Sequence, residues 1–176
     1  MPTTPRYIKP AVIERLAQRI SEDAKLNEQE PGAVDVIKLA NYFDCDVETV
    51  DFNPSTISAK IERKNGKCII QVAKIDSGNR QRFSIAHEVS HLVLHDEGEF
   101  IEYRKPFAEY DNPNMLYKEV QANMLASALL MPKELVIKAW KATKDIDDIA
   151  EIFNVSRSSV YFRLENLGLL GLLGGE

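Results

Sequence analysis

Phe83-Ser84-Ile85-Ala86-His87-Glu88-Val89-Ser90-His91-Leu92-Val93-Leu94 sets His-Glu-x-x-His inside an apolar, helix-patterned run. Residues four apart lie on one face of a helix, so the imidazoles of His87 and His91 converge. Two converging imidazoles are part of a metal site, with zinc the usual occupant. Glu88 stands about 100° further round the helix. It reaches the surroundings of the ion without ligating it, as a general base for peptide hydrolysis must. The same five residues also arise as a plain polar stripe on a surface helix, so the motif alone does not decide between the two.

A catalytic zinc needs three protein ligands and one open position. His95 continues the stripe His87, His91, His95. On a straight helix, however, it lies about 12 Å along the axis from His87, while metal–nitrogen bonds are about 2 Å. His95 is therefore read as structural. The metzincin pattern needs Gly three residues after the second His and a further His three residues on, where this chain has Leu94 and Glu97. A carboxylate on a second helix is left, as in thermolysin-like sites. Glu119 is the best placed, at the start of Lys118-Glu119-Val120-Gln121-Ala122-Asn123-Met124-Leu125-Ala126. Ala122 and Ala126 form a small face on which that helix can approach the first one closely. Asn123 shares the face of Glu119 and can hydrogen-bond a ligand. A carboxylate at a helix start is equally explained by the macrodipole.

Outward from these two helices, Pro10 suits a first helical turn. Val12, Ile13, Leu16, Ala17, Ile20 and Ala24 then give an apolar face to about residue 26. A second helix is expected over Ala33 to Phe43 and a short strand over Val47 to Phe52. Ile57 to Arg63 alternates as a half-buried strand does. Asn65-Gly66 marks a hairpin, with Cys68 to Val72 as the returning strand. Asp76-Ser77-Gly78-Asn79 caps the motif helix, expected over about 79 to 95. Glu97 to Asn114 has no clear period and contains Pro106 and Pro113, so it reads as a long loop. Helices follow over Met115 to Leu130 and from Pro132 to about Thr143. Asp145 to Phe153 and Arg157 to Asn166, joined by Asn154-Val155-Ser156, form a helix–turn–helix pattern.

The bulk composition narrows the function. The chain has 176 residues, 44% hydrophobic and 28% charged, as expected for a globular domain with its own core. A net charge of -5 argues against a general binder of nucleic acid or anionic membrane. Between residues 144 and 176, Lys144, Arg157 and Arg163 face Asp145, Asp147, Asp148, Glu151, Glu165 and Glu176. That balance is opposite to an electrostatic footprint on phosphate, so direct DNA binding is not expected. Cys45 and Cys68 are far apart and in no C-x-x-C pair. They are read as free thiols in a reducing, cytoplasmic compartment. Met1 to Pro5 has no signal pattern, and no segment approaches the roughly 20 apolar residues of a membrane span.

Arg82 to His95 resembles the core motif of the ImmA/IrrE metallopeptidases. Glu119-x-x-Ala122-Asn123-x-x-Ala126-x-x-Leu129-Leu130-Met131-Pro132 resembles their second motif. The N-terminal helix pair, the Asn65-Gly66 hairpin and the ending Arg163-Leu164-Glu165-Asn166-Leu167-Gly168 are similar as well. Two positions depart from the family: Ser90 stands where Gly is frequent, and Leu125 where Phe is. The resemblance implies an α+β fold, mainly helical and zincin-like, with a small antiparallel sheet and a C-terminal helix–turn–helix-like appendage. The peptidase domain would span 1–143 and the appendage 144–176. The resemblance also implies His87, His91 and Glu119 as ligands of one Zn²⁺, or of Mn²⁺ or another divalent ion in its place, and Glu88 as the catalytic base. The implied partner is a protein substrate, a helix–turn–helix repressor of the XRE type. Its cleavage or inactivation would derepress phage, mobile-element, stress or toxin–antitoxin genes. A ligand-sensing C-terminal domain, present in longer members, is not expected. Tyr103, Tyr110, Tyr117 and Arg82 are candidate donors to the oxyanion. The alternative is a non-proteolytic antirepressor whose metal serves structure.

Overall fold

A computed structural model describes residues 8–26, 32–95, 100–104 and 112–173. Among them are seven α-helices, four strands and a closing 3-10 turn. Helix α1 is Pro10–Asp23, with the proline in its first turn and Ile13, Ala17 and Ile20 buried. Helix α2 is Val36–Tyr42, three residues shorter at its start than the apolar pattern predicts. Asp35 sets that boundary by accepting from the N–H groups of Ile37 and Lys38 at 2.9 and 3.0 Å, which makes it an N-cap.

Strands β1 (Cys45–Val50), β2 (Ala59–Lys64) and β3 (Lys67–Ala73) follow. The β2–β3 hairpin turns at Asn65 and Gly66, both with positive φ, 52° and 73°. That is the turn expected of Asn-Gly. The sheet is not wholly antiparallel, however. Its order is β1-β3-β2-β4, and β1 pairs with β3 in parallel. Local patterning shows where strands fall but carries no information on which edge a strand joins, so the direction of β1 was not legible. The parallel register sets Cys45 opposite Cys68, and the two are joined by a disulfide. This corrects the expectation of two free thiols, and the cysteine argument for a reducing compartment falls with it. Sequence separation hides a pairing that the sheet register creates.

Helix α3, Gly78–His95, packs on β2 and β3. Its opening turn is anchored by Gln81, whose Nε2 donates to the Ala73 carbonyl at 2.9 Å. Strand β4 (Phe100–Arg104) pairs antiparallel with β2 and ends the sheet. It corrects part of the loop predicted over 97–114. The pattern was unreadable because it is inverted: Ile101 and Tyr103 are exposed, whereas Arg104 turns to the α3 side. Helix α4 is Pro113–Leu130 and packs more extensively on α3 than any other element does. Ala86 and Val89 of α3, and Ala122 and Ala126 of α4, have no exposed surface. Small residues on both helices allow this close approach.

Helices α5 (Lys133–Thr143), α6 (Ile146–Phe153) and α7 (Arg157–Asn166) complete the chain with the 3-10 turn Leu170–Leu173. Asn154 ends α6 in the left-handed region, and the Ser156 side chain caps α7 by accepting from Ser159 N–H at 3.1 Å. Val160 and Leu164 join the main apolar core. The buried Arg163 donates from Nε to the Met131 carbonyl at 3.0 Å, and it pairs with Glu14 of α1 through both terminal nitrogens. Among the described residues, no helix is long and apolar enough to cross a membrane.

Candidate metal centre

Helices α3 and α4 bring His87, His91 and Glu119 together, although 28 residues separate His91 from Glu119. His87 Nε2 lies 3.1 Å from Glu119 Oε2, and His91 Nε2 lies 3.1 Å from Glu119 Oε1. The two Nε2 atoms are 3.0 Å apart. All three side chains are buried, as is Glu88. Ligands bonded to one tetrahedral zinc at about 2.0–2.1 Å lie about 3.3–3.4 Å from one another. The donor atoms therefore stand close to the positions an ion would impose. His95 is one turn further on, its ring 5.6 Å from that of His91, and it is outside the convergent group. The axial-distance argument against it agrees with this placement.

Electrostatics favour a cation at the same point. Burial pushes the His87 imidazole down to about 3, against the opposing pull of Glu119. Burial would raise the Glu119 carboxyl, but its close contacts with the His87 and His91 imidazoles outweigh it. They hold the group well below the usual carboxylate range. A neutral imidazole and an ionised carboxylate are the protonation states a metal requires of its ligands. Asn123 Oδ1 lies 2.9 Å from His87 Nδ1. An amide oxygen only accepts, so the proton sits on Nδ1 and the Nε2 lone pair faces Glu119 and His91. A ring fixed in this way is the usual support of a metal-ligating histidine.

Two predictions arise from these contacts. Asn123→Ala is expected to weaken zinc binding about 10- to 100-fold with the fold intact, as read by competition with a chromophoric chelator. The second concerns the metal-free chain. His87 and Glu119 both titrate lower in the folded protein than their ordinary values, so the unfolded chain binds the extra protons as pH falls. The His87 contribution is complete above about pH 6.5 and is lost as pH falls from there toward 3. The cost is up to about 1.4 kcal/mol per pH unit. Urea unfolding of chelator-treated protein should show a lower midpoint at pH 5.5 than at pH 7.5. Equal midpoints would contradict a neutral buried His87.

The predicted oxyanion donors fare differently. Arg82 is engaged elsewhere, donating to the carbonyls of Asn154 at 3.2 Å and Val34 at 2.8 Å. It clamps α3 to the α6–α7 turn and to the segment before α2. Tyr103 lies opposite Lys60, whose Nζ is 5.9 Å from the tyrosine ring centroid. That is the sheet face away from α3. Tyr117 is two residues before Glu119, about 200° round the helix. Tyr110 is outside the described residues. The cation that the sequence reading missed is Arg104. Its Nη1 donates to Ser84 Oγ at 2.7 Å, and its Cζ stands 4.9 Å from the centroid of the Phe83 ring. Arg104 carried no motif signal because β4 itself was not recognised.

The sequence matches the family model described as the IrrE N-terminal-like domain over residues 40–165. No curated protein matches the chain. Among solved structures, a Mycobacterium tuberculosis transcriptional regulator is similar over 90% of this chain, with a TM-score of 0.64 and 20% identity. The chain spans 47% of that regulator's length. At this identity the likeness is one of fold.

Proposed function

The chain belongs to the IrrE N-terminal-like peptidase family, Peptidase_M78, and from that premise we propose that it is a zinc-dependent, site-specific endopeptidase. Its substrate is a helix–turn–helix transcriptional repressor, whose cleavage derepresses the genes that repressor holds silent. The observation that carries this reading is the meeting of His87 Nε2, His91 Nε2 and the Glu119 carboxylate within 3.0–3.1 Å, beside the equally buried Glu88. His87, His91 and Glu119 are the ligands, and Mn²⁺ or another divalent ion suits the same donors. The peptidase domain is residues 1–143, with 144–176 as a helix–turn–helix-like segment packed on its core through Val160, Leu164 and Arg163, and that segment helps to dock the substrate.

When bound, zinc supplies a Lewis acid that acidifies water and polarises the scissile carbonyl. The protein supplies the rest. Asn123 holds His87 in one tautomer. Glu119 brings one negative charge, which lowers the net charge of the loaded site. Glu88 takes a proton from the attacking water and passes it to the leaving amine. Among the described residues β4 is an edge strand of its sheet, and such an edge suits an extended peptide through main-chain hydrogen bonds. The test is to incubate the zinc-loaded chain with helix–turn–helix repressors of its own source organism, taken one at a time, and to weigh the products. One cut, abolished by chelator and restored by zinc, is expected. Repressors that all stay whole while zinc is bound would overturn the reading.

A further inference from the structure

Tyr161 and Phe162 stand side by side on α7, 46% and 59% exposed, more than any other aromatic among the described side chains. Their rings meet edge to face with centroids 5.9 Å apart. Large exposed aromatic groups in contact with one another mark a surface that a partner covers. Glu165 follows one turn after Tyr161 and shares that exposed face. On α6, Asp147, Asp148 and Glu151 share an exposed face in the same way. Arg157 Nη1 donates to Asp147 at 2.7 Å, which joins the two faces and offsets the cation. The other cation of α7, Arg163, is turned the opposite way and buried against Glu14 and the Met131 carbonyl. Among the described residues, Asp148, Glu151 and Glu165 have no ion-pair partner. The aromatic pair is therefore flanked by acids whose charge is not offset.

We propose that this face of α6 and α7 docks the basic, DNA-reading surface of the substrate repressor. This rests on the peptidase reading above and names the part of the substrate that is engaged. A protein that reads DNA presents Lys and Arg to the phosphates. Those cations are drawn to free carboxylates, and their heads stack on exposed aromatic rings. DNA itself carries the same sign of charge as this face and is repelled from it. Docking covers the surface that grips the operator, so a repressor bound to DNA is excluded. The face is also fixed relative to the metal centre, because Arg163 ties the back of α7 to the end of α4. Leu130, the last residue of α4, lies roughly 16 Å along the helix axis from Glu119. Docking and cutting thus take place at separate points, and docking acts on KM rather than on kcat.

A repressor that the zinc-loaded chain cuts would be supplied whole, and also as a short peptide spanning only its cut site. Phe162→Ala and the double variant Glu151→Lys with Glu165→Lys would be compared with the wild type, with zinc content and Tm measured on each. On the whole repressor, KM should rise at least about tenfold in both variants while kcat is unchanged. On the peptide the three proteins should be alike. An excess of random-sequence duplex should slow cutting of the whole repressor and leave cutting of the peptide as it was. An unchanged KM on the whole repressor in the folded variants overturns the assignment. So does an equal loss on repressor and peptide, because the residues would then serve the fold alone. Full-rate cutting of the repressor under saturating duplex overturns it as well, as does binding of duplex by the chain with no repressor present. If the double variant does not fold, Phe162→Ala decides alone. A wild-type chain that binds zinc but cuts none of the repressors overturns the peptidase reading, and this assignment with it.

Discussion

Glu88→Gln is expected to lower peptide hydrolysis by the zinc-loaded chain on the order of 10³-fold, while zinc content stays at that of the wild type. General acid–base catalysis by a positioned side chain contributes about 10²- to 10⁴-fold. Glu88 is the acidic residue next to His87 in sequence, and it is buried beside the convergent donors. Glutamine keeps the size of the side chain and its hydrogen-bonding capacity but cannot take a proton at neutral pH. His87 and His91 would still present their Nε2 atoms, so the metal should remain. The pairing of lost turnover with retained zinc is what separates a base from a ligand. It also separates the proteolytic reading from the antirepressor alternative. A Glu88→Gln protein that still derepresses its target genes in full, with the repressor intact, would show that binding and not cutting is the mechanism.

Glu119→Ala is expected to lose zinc altogether under conditions where Asn123→Ala merely weakens it. Glu119 contributes the only negative charge among the three convergent donors, and each of its oxygens faces one imidazole at 3.1 Å. Without it, two imidazoles four residues apart on one helix remain, which is an incomplete set for zinc. Glu119→Gln serves as the control for packing, since α3 and α4 meet closely at this point. Zinc would be counted by elemental analysis after gel filtration, with far-UV circular dichroism to establish that the helices persist. Retention of one tightly held zinc in folded Glu119→Ala would move the third ligand elsewhere.

The two halves of the centre were legible in the sequence for different reasons. His87 and His91 announce themselves because helical spacing places i and i+4 on one face. Glu119 has no such local signature. Excluding His95 on axial distance, with the small face of Ala122 and Ala126, made it the best-placed candidate, level with a plain helix-start carboxylate until the family resemblance implied it as a ligand; the structure seats that small face against α3. Asn123 was legible for the same reason, lying one turn from Glu119. Arg104 was not legible. Its strand is five residues long, with apolar residues outward and a cation inward, the reverse of the alternation that marks a strand with one face in the core. The Cys45–Cys68 bond and the parallel β1–β3 pairing share one cause. Both depend on register between strands, which local patterning does not encode.

The sharing of one metal ion between α3 and α4 is tested most directly by anomalous diffraction at the zinc edge, from crystals of the zinc-loaded protein. One strong peak is expected, bonded to His87 Nε2, His91 Nε2 and a Glu119 oxygen at about 2.0–2.2 Å. A peak ligated by His95 in place of Glu119, or no peak between the two helices, would contradict it.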